Sequence, residues 1–189
     1  MVPYFDLSFQ HAAPAVLRRM RRFGDPDTFL ALITAIRAAA PYAGIRSNVI
    51  CGFPGETAAD LETLADFLTA AELDAIGVFG YSDEDGTAAR ALPDQHPIEV
   101  VEARRAQIAD LADELVNQRA EARIGEPVRM LVEDVQPAVV GRAEHQGPEV
   151  DGTVRLLSPP GSLCRGDLVD AVVTDTDGVD LIAEMVGGS

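Results

Sequence analysis

Two hydrophobic periods alternate along the first part of the chain. Residues 2–9, VPYFDLSF, form a short apolar and aromatic run that reads as a buried strand. From Ala13, APAVLRRM opens a helix with Pro14 in its first turn, where proline is tolerated. Asp25, Pro26 and Asp27 read as a cap before TFLALITAIRAAA, where Phe29, Leu32, Ile33 and Ile36 follow helical spacing and Pro41 ends the run. GIRSNVICGF is the next strand. ETAADLETLADFLTAAEL is the next helix, with Leu61, Leu64, Phe67 and Leu68 on one face, and DAIGVFGY is a third strand. The order β-α-β-α-β predicts a parallel sheet. Three such strands do not close a barrel and leave a sheet edge exposed, so the pattern reads as the second half of a larger unit.

The texture then changes. Residues 96–125 carry one long helical pattern, with Val100, Ile108, Leu111 and Leu115 as its stripe and Gly125 as its stop. Beyond it, PVRMLVEDV, AVVGRAE, GTVRLL, DLVDAVVTDT and VDLIAEMV are short β-rich runs separated by Gly, Pro and Asp. Closely spaced runs of this kind predict a small all-β barrel or sandwich of about five strands. The expected division is an α/β part over residues 1–95, a connecting helix over 96–125 and a β domain over 126–187.

Composition adds two constraints. The 189 residues carry 15 basic and 31 acidic side chains, a net charge of −16, and every basic residue is arginine. Such a chain is repelled by nucleic-acid phosphates and attracted to basic proteins. No apolar run approaches the ~18 residues of a membrane span, and nothing resembles a signal peptide, so a soluble cytoplasmic protein is expected. Cys51 and Cys164 are expected to be two reduced, buried thiols, too few for an all-cysteine iron–sulfur site.

The chemistry gathers around Gly52–Glu56, GFPGE, between a buried strand and a helix. A glycine there allows a ligand to approach the backbone, and the helix amides favour a polar or anionic group. A tight turn capped by Glu56 and Thr57 explains the same residues without a ligand.

Three stretches in order, FDLSFQHAAPAVLRRMRR, GFPGET and GVFGYSDEDGTAARALPDQHP, together resemble the radical S-adenosylmethionine methylthiotransferases. VDGTVRLLS and GDLVDAVVTDTDGVDLIAE resemble the TRAM domain of those enzymes. The resemblance implies an α/β fold, the last three βα units of a partial (βα) barrel, followed by an OB-like TRAM β-barrel. It implies that Gln10, and Arg22 twelve residues later, contact the methionine or ribose groups of S-adenosylmethionine, and that Gly52, Phe53, Pro54, Gly55 and Glu56 lie along its adenosine. Arg46 and Asn48 join this set; many relatives carry Asp where this chain has Asn48. Tyr81 and Ser82 stand at the mouth of the site, and His11 either faces it or is structural.

Of the family's two branches, one modifies an adenosine in tRNA. The other, the RimO family, methylthiolates an aspartate of a basic small-subunit ribosomal protein. IRSNVICGFPGE and IGVFGYSDEDGT resemble the second branch. Residues 123–189 agree with it, because five Arg against twelve acidic residues leave a net of −7, whereas a tRNA-binding TRAM domain is expected to be basic. A non-catalytic TRAM-type binding module is a further alternative. The family holds two [4Fe–4S] clusters, one through CxxxCxxC, and those cysteines do not occur in this sequence. Without a cluster no electron reaches S-adenosylmethionine, so the chain alone is expected to be inert.

Overall fold

The computed structural model describes residues 3–84, 86–148, 151–159 and 161–186. Strands β1 (Tyr4–Asp6), β2 (Gly44–Cys51) and β3 (Ala75–Gly80) form a parallel sheet in the order β1-β2-β3. Helices α1 (Pro14–Arg19) and α2 (Pro26–Ala39) connect the first pair of strands, and α3 (Ala58–Ala71) connects the second. Both long connections start from side-chain caps. The Asp25 carboxylate accepts the Thr28 N–H at 2.9 Å, and Thr57 and Asp60 form a reciprocal capping box.

Burial alternates along β2. Ile45, Ser47, Val49 and Cys51 are fully buried, while Arg46, Asn48 and Ile50 are half exposed. The buried side packs on Ile33, Leu61, Leu64, Phe67 and Leu68, the expected helix faces. Phe9, Phe29 and Phe67 close this core, with ring centroids 4.4 Å apart for Phe9–Phe29 and 5.4 Å for Phe9–Phe67. The other side of the sheet is open.

Three details depart from the sequence pattern. The first strand covers only Tyr4–Asp6 and is not buried; Phe5 is 36% exposed because β1 is the sheet edge and pairs on one side only. In α2 the buried residue is Ile33, and its neighbour Leu32 turns outward. In the long helix α4 (Ile98–Ala122) the residue at the stripe's start is Val101, 3% exposed, in place of Val100. Gly52 explains that register. Its φ is +76°, and a Cβ on it would lie 2.8 Å from the Val101 side chain, so helix and turn touch with no atom between them.

The remaining five strands are β4 (Pro127–Asp134), β5 (Val140–Ala143), β6 (Val154–Leu156), β7 (Leu168–Asp177) and β8 (Asp180–Met185). They close a barrel in the order β4-β5-β6-β8-β7, with β6 and β8 parallel and the other pairs antiparallel. Met130, Val154, Val173, Leu181 and Ala183 fill it from alternating positions.

Sheet and barrel meet through buried polar groups. Asp74, just before β3, accepts the Ile45 N–H at 2.8 Å and pairs with Arg119 at 2.9 Å and Arg123 at 2.6 Å. Arg123 also donates to the Ala43 carbonyl at 3.2 Å and reaches Glu126 at 2.6 Å. Gly44 lies so close to the barrel that a Cβ would meet the His145 carbonyl oxygen at 2.1 Å. Across the same seam Tyr4 donates to Asp151 at 2.5 Å. Burial and the Asp151 carboxylate push the Tyr4 phenol up to about 12. The space left between Asp74, Arg123 and His145 is about 20 Å³, too small for a ligand larger than water.

His145 is the titrating element of the seam. Burial, then the nearby Arg123, pull its pKa down from 6.5 to about 3. The unfolded chain takes up a proton on this imidazole below about pH 6.5, and the folded chain does not until about pH 3. Stability therefore falls as pH is lowered through that window. In a His145→Gln variant, the unfolding free energy measured between pH 4 and 6 should lose up to about 1.4 kcal/mol per pH unit of this slope. An unchanged slope would assign the seam's acid sensitivity to other groups. Gly52→Ala should cost about 1–3 kcal/mol in chemical denaturation through backbone strain and the Val101 clash. In a Val101→Ala background the added cost of Gly52→Ala should fall by the side-chain part of the clash, while the Val101 Cα at 2.9 Å and the backbone strain remain.

Candidate functional site

The chain turns at the carboxyl ends of β1 and β2 bring separate segments together. After β1, Gln10 has a φ of +68°, and its backbone forms a bridge to β2: its N–H donates to the Asn48 carbonyl at 3.0 Å, and its carbonyl accepts the Ile50 N–H at 2.8 Å. The sheet is thus prolonged by one residue, and the Gln10 side chain is held at its end. The next residues enter α1, whose C-terminal end carries Arg18 and Arg19 and leads on to Met20, Arg21 and Arg22.

Gln10, Arg22, Ile50 and Phe53 line one cleft of about 310 Å³, walled on its outer side by Ala89 and Leu92. Arg22 is anchored by donating to the Ser8 carbonyl at 3.0 Å. The outer wall belongs to the segment that follows β3, which contains a short 3₁₀ turn at Ala88–Ala91. Gln95 holds that turn by donating to the carbonyls of Ala89 at 3.0 Å and Leu92 at 3.2 Å. Asp94 ties it to the Gly52–Glu56 turn, its carbonyl accepting the Gly55 N–H at 2.9 Å. Arg19 spans the same junction, 3.4 Å from the Pro54 carbonyl and 3.3 Å from the Asp94 carboxylate.

Phe53 packs edge-on against Tyr81, with ring centroids 5.2 Å apart. On the far side of this pair is a second cleft of about 490 Å³, lined by Tyr81, Ser82, Gln95, His96 and Glu102. The buried Tyr81 Oη has no hydrogen-bond partner among the described residues, and neither has Asn48 Oδ1, which lines neither cleft.

The sequence-derived residues do not all converge. Gln10, Arg22 and Phe53 share the first cleft, and Tyr81 stands beside it. Asn48 is lower on the open face, over Gly77. Arg46 lies further down the same strand, beside the Tyr4 hydroxyl, and does not line the cleft. The glycines have a different cause from the one expected. Gly52 is needed by Val101 of α4, and a Cβ on Gly55 would meet the Arg19 guanidinium at 2.3 Å, so both admit protein neighbours. Glu56 is 1% exposed and faces inward. Its two oxygens accept the Gly52 N–H at 3.1 and 3.0 Å, and Oε1 pairs with Arg104 at 3.0 Å. His11 is fully buried behind the turn, the structural of its two expected roles.

Arg104, Ala89, Leu92 and Asp94 were not indicated by local spacing. Arg104 is 48 positions from Glu56 and sits on a long amphipathic helix where an arginine is unremarkable. Only the tertiary packing of α4 against the turn selects it.

Among the described residues, no group of three or more His, Cys, Asp or Glu side chains is placed to hold a metal ion. Cys51 is buried in β2, where burial and then Glu56 push its thiol up to about 12, so it stays protonated. Cys164, expected to be buried, is exposed in a loop of the barrel. An iron–sulfur cluster does not fit this chain's own residues. The first cleft instead presents a guanidinium, a carboxamide and an aromatic ring at its walls.

Residues 124–186 match the TRAM domain family. Nearly the whole chain matches proteins named ribosomal protein uS12 methylthiotransferase RimO. That of Cutibacterium acnes is 58% identical across 97% of this chain and 38% of its own length. Those of Streptomyces coelicolor and Kineococcus radiotolerans are each 59% identical, across 100% and 97% of this chain and 39% of their own lengths. The chain thus spans under two-fifths of the curated relatives it matches. On these identities the chain is similar to a part of the RimO methylthiotransferases, and its residues 124–186 carry the TRAM match.

Proposed function

We propose that the three βα units are the closing part of a radical S-adenosylmethionine (βα) barrel, and that the cleft between Gln10, Arg22 and Phe53 receives the adenosylmethionine. The observation that carries this reading is the convergence of those three side chains at the carboxyl ends of parallel strands, where ligands of α/β sheets bind. Arg22 presents a fork of donors suited to the ligand's carboxylate. Gln10 offers both a donor and an acceptor to a ribose or amino group, and Phe53 supplies an apolar wall for the adenine. Tyr81, beside the cleft, offers an unpaired hydroxyl, and Asn48, lower on the sheet, stays outside its lining. Gly52, Pro54 and Gly55 shape the turn behind Phe53, Glu56 braces it from inside, and Arg46 takes no part in the cleft. Bound there, S-adenosylmethionine supplies the transferred methyl group. The cluster that reduces it belongs to residues outside this chain, so this chain by itself is inert.

The proposed partner is a basic ribosomal protein; the relatives are named for the ribosomal protein uS12. The barrel's exposed carboxylates, including Asp134, Asp170, Asp175, Asp177 and Glu184, favour such a partner over tRNA.

Isothermal titration of the 189-residue chain with S-adenosylhomocysteine checks the assignment. Gln10→Ala and Arg22→Ala should each weaken binding about tenfold, equivalent to about 1.4 kcal/mol. Arg46→Ala should leave it unchanged. Wild-type affinity in both of the first two variants would overturn the reading.

A further inference from the structure

Resting on the cleft assignment just made, we propose that Arg104 is a positioning residue. Acting through the Glu56 carboxylate, it fixes the distance between the two turns that form the cleft.

The geometry begins with one buried carboxylate shared by three segments. From its own turn, Glu56 accepts the Gly52 N–H with both oxygens. From α4, Arg104 Nη1 donates to Glu56 Oε1 at 3.0 Å and to the Glu56 carbonyl at 2.8 Å. From the turn after β1, His11 Nε2 lies 3.3 Å from Glu56 Oε2, in ion-pair range but not aligned as a hydrogen bond. The other nitrogen of that ring, Nδ1, accepts the Ala13 N–H at 2.9 Å. The neutral ring therefore carries its proton on Nε2, directed to the Glu56 side. His11 follows Gln10 in sequence, and Phe53 follows Gly52. Both oxygens of the carboxylate thus hold the backbone that leads to Phe53, and Oε2 also lies against the ring of the residue that follows Gln10.

Arg104 is what allows the carboxylate to stay there. The Glu56 and His11 side chains are both 0% exposed, and the Arg104 side chain is 17% exposed. A carboxylate in that setting is costly to bury without a cation. Arg104 Nη1 also lies 3.2 Å from His96 Nε2, at the point where the strap forming the cleft's outer wall returns to α4. The same guanidinium therefore touches the anchor of the wall as well as the Gly52–Glu56 turn. None of these groups lines the first cleft, so the effect of Arg104 on a ligand passes through the position of Gln10 and Phe53.

The test combines amide hydrogen exchange by NMR with S-adenosylhomocysteine titration on the 189-residue chain. Arg104→Lys keeps the charge but loses the planar fork. It should speed exchange of the Ala13 and Gly52 N–H groups together, about tenfold or more, while barrel amides such as Met130 are unchanged. It should weaken the ligand about fivefold, and this loss should shrink to the part carried by Phe53 when Gln10 is already Ala. A purely structural role would give the same loss in either background. The double variant Glu56→Gln with Arg104→Met removes both charges and guards against misfolding of the single change; it should reproduce the joint exchange response. Acceleration at Gly52 alone, with Ala13 unmoved, would overturn the proposal, as would a ligand loss independent of Gln10. If the wild-type chain binds no S-adenosylhomocysteine, the cleft assignment fails, and the paired exchange of Ala13 and Gly52 still decides whether Arg104 couples the two turns.

Discussion

The Asp74 carboxylate receives hydrogen bonds from both of its structural neighbours, the sheet through the Ile45 N–H and the long helix through Arg119 and Arg123. Sheet, long helix and the start of the barrel meet at this junction. It sets β2 beside β3, seats α4 against the sheet, and through Arg123 fixes the point where the chain leaves the helix for the barrel. Removing one member of such a buried set leaves charges that neither water nor another residue can satisfy. A chain whose basic residues are all arginine is suited to this arrangement, because one guanidinium reaches Asp74, Ala43 and Glu126 at once.

Glu56 repeats the logic at the opposite end of the sheet. The two carboxylates differ in what they join: Asp74 ties sheet to barrel, and Glu56 ties the turns of the cleft to α4. Helix α4 is common to both, supplying Arg104 near its start and Arg119 close to its end. A single rod thus holds the orientation of the cleft relative to the barrel's acidic surface.

Much of this architecture is legible in the sequence because it rests on local rules. The Asp25 cap, the Thr57–Asp60 box, the alternation along β2 and the five β-rich runs each specify their element within a few residues. What is not legible depends on partners remote in sequence. Leu32 and Ile33 both fit a helical stripe, and only the placement of Phe9 and Phe67 decides that Ile33 turns inward. Val101 replaces Val100 because Gly52 leaves a gap there. Gly52 and Gly55 look like a ligand cradle in sequence, yet Val101 and Arg19 occupy the space that a side chain would need. For the candidate site, the resemblance to the radical S-adenosylmethionine methylthiotransferases pointed to Gln10 and Arg22, and the glycine-rich turn pointed to Phe53. The pairing of Glu56 with Arg104 joins segments that no local pattern connects.

The two cysteines occupy opposite situations. Cys51 is sealed under the helices with its thiol held protonated, and Cys164 stands in solvent on a barrel loop. To an alkylating reagent the folded molecule therefore presents one thiol, and the second becomes available only when the helices lift from β2. The sequence contains its own clock for that opening: the rate of the second modification measures how often the sheet comes apart, while the first marks the barrel from the outset.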